Sequence, residues 1–176
     1  MTLNKKNVFN LIIYILIIGI LVIIDQFTKV LAYNRLKDNA PFIIIKNIFE
    51  LRYLENRGAA FGMLQNQKIF FVIIASVMSL VVLYILAKCP ADKKYIAFKI
   101  CLLLIGAGAV GNLIDRLARN FVVDFFYFIL IDFPIFNVAD IYVSIACVLL
   151  IILILFVYKD ADFDFLKKKK VTNGEV

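Results

Sequence analysis

The chain has 176 residues, 64% of them hydrophobic, with 20 Lys and Arg against 13 Asp and Glu and a net charge of +7. Its mean hydropathy of +0.94 lies far above that of soluble domains, where apolar residues make up roughly 45–50%, so 1–176 reads as one integral membrane domain. The basic excess then points to anionic lipid rather than to nucleic acid, and the absence of His excludes Ser-His-Asp triads, Cys-His dyads and HExxH zinc sites.

The first predicted span covers about 7–24. Lys5 and Lys6 followed by an apolar run would suit a signal peptide. The run is long, however, ends in IDQFTK and lacks a small-x-small cleavage site, so it reads as a retained helix. An outer loop over 25–68 follows. Within it, FIIIKNIFELRYL is β-rich around Asn47 and predicts a short hairpin. NRGAAFG (56–62) brackets small residues with Gly58 and Gly62, a composition for a chain that turns and packs closely.

The second span covers about 69–87 and the third about 95–114. The third is uncharged only over 100–114, so it reaches spanning length if Lys99 snorkels back to the interface. Its small residues, Gly106, Ala107, Gly108, Ala109 and Gly111, allow close approach of another helix. Asn112, Asp115 and Arg116 follow at i, i+3 and i+4, on one helix face. The second outer loop, 115–140, is unusually apolar; it reads as lying in the bilayer interface or as lining a lipid-facing groove, with Phe121, Phe125, Phe126 and Phe128 at the rim. The fourth span covers about 141–158, and a polar tail over 159–176 is expected to be mobile. An even number of spans puts both ends on one side, and the basic ends and basic short loop around Lys94 mark that side as cytoplasmic. The expected fold class is an all-α membrane protein with four transmembrane helices. A small extracytoplasmic β-rich substructure, formed from the two outer loops, completes it.

Chemistry must come from the remaining residue types. Ser76, Ser79 and Ser144 all lie in apolar runs, so a Ser-Lys hydrolase working outside the membrane has no nucleophile. Cys89, Cys101 and Cys147 form no CxxC pair. Ionisable groups at membrane depth are costly and are functional candidates by default. Asp25 and Lys29 form an i,i+4 pair that a structural role explains, whereas Asp115 and Arg116 suit either a structural or a functional role. Asp124 stands in the strand-like segment VVDFF with no basic residue within four positions. Asp140 opens the fourth helix. The connection between these two contains Pro134 and is long enough to fold back and bring the carboxylates together. Such a pair cannot ionise twice cheaply, and can act as base and acid on one water molecule. Spacing alone leaves this open beside two separate helix-end carboxylates. A Mg²⁺ or Ca²⁺ site lacks the DxDxDG spacing and is opposed by Arg116. No metal or cofactor is expected.

DQFTK, NRGAAFG, GNLIDR, VVDF and FNVAD stand in one order over about 25–144, and in that order the chain resembles lipoprotein signal peptidase, the bacterial signal peptidase II family. The resemblance implies an aspartic endopeptidase that cuts prolipoproteins just before a diacylglyceryl-modified cysteine. It implies Asp124 and Asp140 as the catalytic pair, and Asn56, Asn112, Arg116 and Asn137 as substrate-binding residues. Asp25, Lys29, Gly58 and Asp115 would be supporting residues. It further implies a monomer in the bacterial cytoplasmic membrane, in contact with membrane lipid, with the site at the outer face. Asp140 at a helix start is expected to carry the charge and Asp124, among apolar neighbours, the shared proton. The competing readings are a small transporter and a non-enzymatic assembly subunit.

Overall fold

A computed structural model describes residues 5–58 and 64–167. The AAFG portion of the second motif and Lys168, Lys169 and Lys170 of the tail therefore lie outside the described residues. Among the described residues, four helices are long and apolar enough to cross a membrane: α1 (Lys5–Leu36), α2 (Lys68–Lys88), α3 (Ile96–Arg119) and α4 (Val138–Phe156). Large apolar residues such as Phe27, Leu80, Leu149 and Leu155 stay exposed on them, as suits a hydrocarbon solvent.

Two helices run further than the charge-free stretches suggest. α1 passes Asp25 and Lys29 and continues to Leu36, so residues 25–36 are helix rather than outer loop. The two charges neutralise each other at 2.9 Å inside the fold, and no Gly or Pro stands between Asp25 and Pro41 to stop the helix. α3 likewise carries Asp115 and Arg116 within its last turns and ends at Asn120, which takes the left-handed conformation with φ 68°.

α3 packs against all three other helices. A Cβ built on Gly108 would lie 2.6 Å from the Ala139 carbonyl oxygen, so the α3–α4 crossing requires glycine there. Lys99 is buried near the start of α3 and donates to the Pro90 carbonyl at 2.7 Å, the snorkelling its position demands.

Beyond the opposite ends of the helices lies a three-stranded antiparallel sheet in the order β1 (Phe42–Ile45), β2 (Phe49–Asn56), β3 (Val122–Phe128). Asn47, with φ 59°, makes the expected hairpin turn. β3 comes from the second outer loop and pairs with β2 through Leu54–Asp124 and Asn56–Val122. Strand alternation directs Val123 and Phe125 onto Ala32 and Leu36 of α1, which seats the sheet on the end of that helix. Val122 and Asp124 face the other way.

At the far end the tail departs from expectation. Residues 160–166 form a 3-10 helix rather than a mobile segment. Phe163 packs on Phe98 and Tyr158 at centroid distances of 5.7 Å, and Phe165 packs on Tyr95 at 5.6 Å. Two phenylalanines in an acidic run thus find an aromatic seat prepared by α3 and the end of α4.

Candidate active site

The site is built where β3 meets the start of α4. After β3 the chain turns through Ile129–Ile131 and Pro134, and Phe136 returns to pair with Phe126. The Phe126 N–H donates to the Phe136 carbonyl at 2.9 Å and the Phe136 N–H donates back at 3.1 Å. The next residue, Asn137, is the N-cap of α4. Its Oδ1 accepts from the Asp140 N–H at 3.0 Å, and Asp140 Oδ2 accepts from the Asn137 N–H at 3.2 Å, a reciprocal capping box. The amide end of the same side chain donates to Asp124 Oδ1 at 2.5 Å. One asparagine therefore holds both aspartates.

Two more asparagines complete the donor set. Asn56 Nδ2 donates to Asp124 Oδ2 at 2.8 Å, while Asn56 Oδ1 accepts from the Gly58 N–H at 3.0 Å. Asn112 Nδ2 donates to Asp140 Oδ1 at 2.8 Å, while Asn112 Oδ1 accepts from Lys29 Nζ at 2.8 Å. In each of the three, the oxygen is held by a group that can only donate, so the NH₂ faces a carboxylate. Asp124 is 1% exposed. Burial foremost, and then the neighbouring Asp140 carboxylate, push its carboxyl up to about 7, against the opposing hydrogen bonds from Asn56 and Asn137.

Behind this layer lies a buried ionic cluster. Lys29 Nζ pairs with Asp25 Oδ2 at 2.9 Å and with Asp115 Oδ2 at 3.1 Å, all three side chains fully buried. Asp25 Oδ1 accepts from the Ala139 N–H at 2.9 Å, which ties α1 to the first turn of α4. Asp115 Oδ2 accepts from the Val123 N–H at 3.2 Å, which ties α3 to β3, and its other oxygen pairs with Arg119 at 2.6 Å. Gly111 makes room for this arrangement, since a Cβ there would sit 2.5 Å from Asp25 Oδ2. Asp115 and Arg116, adjacent in sequence, part company. Asp115 turns into the cluster, whereas the Arg116 guanidinium lies over the Phe71 ring at 4.7 Å and reaches the Gly58 and Asn112 carbonyls at 3.4 Å.

A cavity of about 570 Å³ opens over the two aspartates. Asn56, Gly58, Asn112 and Arg116 line its polar end, and Phe71, Phe133, Pro134, Phe136, Ile141 and Ile145 its apolar flank. The phenylalanines expected at its rim, Phe121, Phe125, Phe126 and Phe128, are elsewhere. Phe125 is buried against α1, and Phe126 and Phe128 stack on Phe49 and Phe136 within the sheet. The apolar flank comes instead from α2, the β3–α4 connection and α4.

A family model described as signal peptidase (SPase) II matches residues 17–156. The chain belongs to the signal peptidase II family. It is 44% identical over 144 residues to a lipoprotein signal peptidase of Clostridioides difficile, covering 82% of this chain and 95% of that one. It is 43% identical over 143 residues to a lipoprotein signal peptidase of Caldanaerobacter subterraneus, covering 81% and 95%. A bacterial membrane enzyme structure obtained by the in meso method at 2.3 Å superposes with a TM-score of 0.71 at 33% identity, covering 89% of this chain and 92% of that one. The protein is thus a multi-pass membrane peptidase, and the transporter and assembly-subunit readings are not favoured. Within this signal peptidase II chain, the geometry gathers Asn56, Gly58, Asn112, Arg116, Asp124 and Asp140 at one cavity; Asn137, expected among the substrate-binding residues, is instead fully buried, with both ends of its amide taken up by the two aspartates. The same geometry places Asp25, Lys29 and Asp115 directly behind them.

Proposed function

We propose that the protein cleaves diacylglyceryl-modified prolipoproteins just before the lipidated cysteine, with Asp124 and Asp140 as its catalytic pair. The observation that carries this reading is that the two aspartates line one cavity and are bridged by the buried Asn137. Asp140, in the first turn of α4, meets the positive end of the helix dipole and serves as the ionised base. Asp124, whose carboxyl is held up to about 7, serves as the protonated acid. Asp140 takes a proton from water as its oxygen attacks the scissile carbonyl carbon, and Asp124 protonates the developing oxyanion. The tetrahedral intermediate collapses by breaking the C–N bond, the proton on Asp140 passes to the leaving amine, and the carbonyl re-forms as the hydroxyl returns its proton to Asp124.

Asn56, Asn112 and Arg116 line the cavity and orient the substrate backbone, with Arg116 offering a planar fork to carbonyl oxygens, while the buried Asn137 orients the two aspartates. The apolar flank of the cavity receives acyl chains. The enzyme works as a monomer in contact with membrane lipid. Its termini are cytoplasmic and its sheet lies at the outer face of the cytoplasmic membrane, where water meets the dyad. Purified protein in detergent should cut a diacylglyceryl-prolipoprotein without added metal or nucleotide. Asp124→Asn and Asp140→Asn should each lose on the order of 10³-fold or more in kcat, and the double variant should be little worse than either single one. Substantial cleavage by either single variant would refute the pair.

A further inference from the structure

Lys29 stands outside the catalytic layer, yet one of its contacts reaches into it. Its ammonium is fully buried and meets three acceptors: Asp25 Oδ2 at 2.9 Å, Asp115 Oδ2 at 3.1 Å and Asn112 Oδ1 at 2.8 Å. The two carboxylates offset its charge. The third contact is the informative one, because the other end of that amide donates to Asp140 Oδ1 at 2.8 Å.

A primary amide is nearly symmetric in shape and opposite in chemistry at its two ends. Turned by half a revolution, Asn112 would set its oxygen against a carboxylate oxygen. The ammonium forbids this, since it has only donors to offer. Asn56 and Asn137 are fixed differently: their oxygens accept from the backbone N–H groups of Gly58 and Asp140, which no side-chain substitution removes. Asn112 is the one of the three whose oxygen is held by side chains. Its other donor, Asn137 Nδ2, lies at 3.3 Å and is already engaged with Asp124 at 2.5 Å.

We infer that Lys29 is a positioning residue: it sets the orientation of the Asn112 amide and through it keeps a hydrogen-bond donor on Asp140. The inference rests on the reading of Asp124 and Asp140 as the catalytic pair. The charged and polar groups around Asp140 are Asp25 and Lys29 from α1, Asn112, Asp115 and Arg116 from α3, Asp124 from β3 and the Asn137 cap. Lys29 differs from the other charges in acting through a donor contact that a neutral group can reproduce.

The test separates donor from charge. Lys29→Met removes both, whereas Lys29→Gln removes the charge and leaves an NH₂ for Asn112 Oδ1. Both are made in an Asp25→Asn background, so that no unpaired carboxylate is left by the loss of the cation. Rate–pH profiles for cleavage of a diacylglyceryl-prolipoprotein in detergent are compared with Asp25→Asn alone, with melting temperatures alongside. Lys29→Met should lose about tenfold or more in kcat with little change in KM, and its acid limb should move to higher pH by about one unit, because the ionised form of the dyad has lost a donor. Lys29→Gln should stay within about threefold, with its acid limb in place. Equal displacement of the limb in the Met and Gln variants would overturn the inference, as would an unmoved limb in Lys29→Met. If Lys29→Met does not insert, the Gln variant decides: a displaced limb in folded Lys29→Gln protein refutes the donor role. Asp124→Asn and Asp140→Asn run beside them. Cleavage by either of those overturns the pair itself, whereas dead aspartate variants with an unchanged Lys29→Met profile overturn only the role of Lys29.

Discussion

The two ends of the helical bundle are held together by different forces. At the sheet end, Asp25, Lys29 and Asp115 are fully buried and their contacts join α1 to α4, α1 to α3 and α3 to β3. At the other end, Tyr95, Phe98, Tyr158, Phe163 and Phe165 pack as a cluster of rings, edged by an ion pair between Lys94 and Asp162 in which Lys94 is 44% exposed. Aromatic packing is adaptable and tolerates small shifts at modest cost. Buried hydrogen-bonded charges tolerate almost none, since each displaced partner is left unsatisfied in low dielectric. The proposed catalytic pair is attached to the unforgiving end. Damage there should therefore cost turnover out of proportion to stability, and damage at the aromatic end should cost stability without touching turnover per folded molecule.

The largest effect is expected from Asp25→Ala. It strips Lys29 of a buried partner and the Ala139 N–H of its acceptor, so stability should fall by about 3–5 kcal/mol and cleavage should be nearly lost. Denaturation in detergent, followed by assay of the folded fraction, checks both. Full turnover by folded Asp25→Ala protein would show that the cluster does not set the site. Gly111→Ala should follow, because its Cβ would press on the Asp25 carboxylate at 2.5 Å; about 1–3 kcal/mol is expected, with turnover falling further than the melting temperature suggests. Asn137→Ala sharpens the contrast. Loss of the cap leaves buried partners unpaired and should cost about 1–3 kcal/mol, yet because both aspartates lose a partner, kcat should drop on the order of 100-fold.

Removing residues 160–176 should lower stability by about 1–3 kcal/mol through loss of Phe163 and Phe165 from the ring cluster, while kcat of the folded enzyme stays unchanged. A large fall in kcat would erase the distinction between the ends. The last effect is pH-dependent. The Asp124 carboxyl is held up to about 7 against an ordinary value near 4, so the folded state binds more protons than the unfolded chain between those values. Stability should thus decline as pH rises from about 4 to about 7 and level off above. Asp124→Asn abolishes that slope and should melt a few degrees above the parent at pH 8 but level with it at pH 4. A parallel decline in the variant would place the titration elsewhere.

Much of this architecture is legible in the residues themselves. Charge-free runs mark the four spans, β-rich FIIIKNIFELRYL marks the hairpin, and isolated Asp124 and helix-opening Asp140 stand out because ionisable groups among apolar neighbours need a reason to be there. The N-x-x-D spacing of Asn137 and Asp140 also carries a capping-box signal, which explains how the first turn of α4 is fixed. Other features depend on tertiary structure and have no local signal. Asp25 looks like the end of a span until Asp115 and Asn112, distant in sequence, supply the partners that let α1 carry Lys29 onward. Gly111 looks like generic helix packing until the Asp25 carboxylate occupies the space its missing Cβ leaves. Strand alternation turns Phe125 away from the cavity, which composition alone does not show, and the apolar flank is supplied instead by Phe71 and Phe133 from elements far apart in the chain. The tail reads as polar by its charges, yet two phenylalanines are enough to dock it.

The central claim is that two carboxyls share one proton and work as a unit, and the rate–pH profile of the unmodified enzyme tests it most directly. With a diacylglyceryl-prolipoprotein in detergent, kcat/KM should be bell-shaped. The falling limb should lie near pH 7, where the buried Asp124 carboxyl gives up its proton, and the rising limb should lie lower, where the pair first ionises; both apparent values belong to the pair. A profile that rises through neutrality to a plateau at alkaline pH would contradict the account, because a reaction driven that way needs no protonated carboxyl.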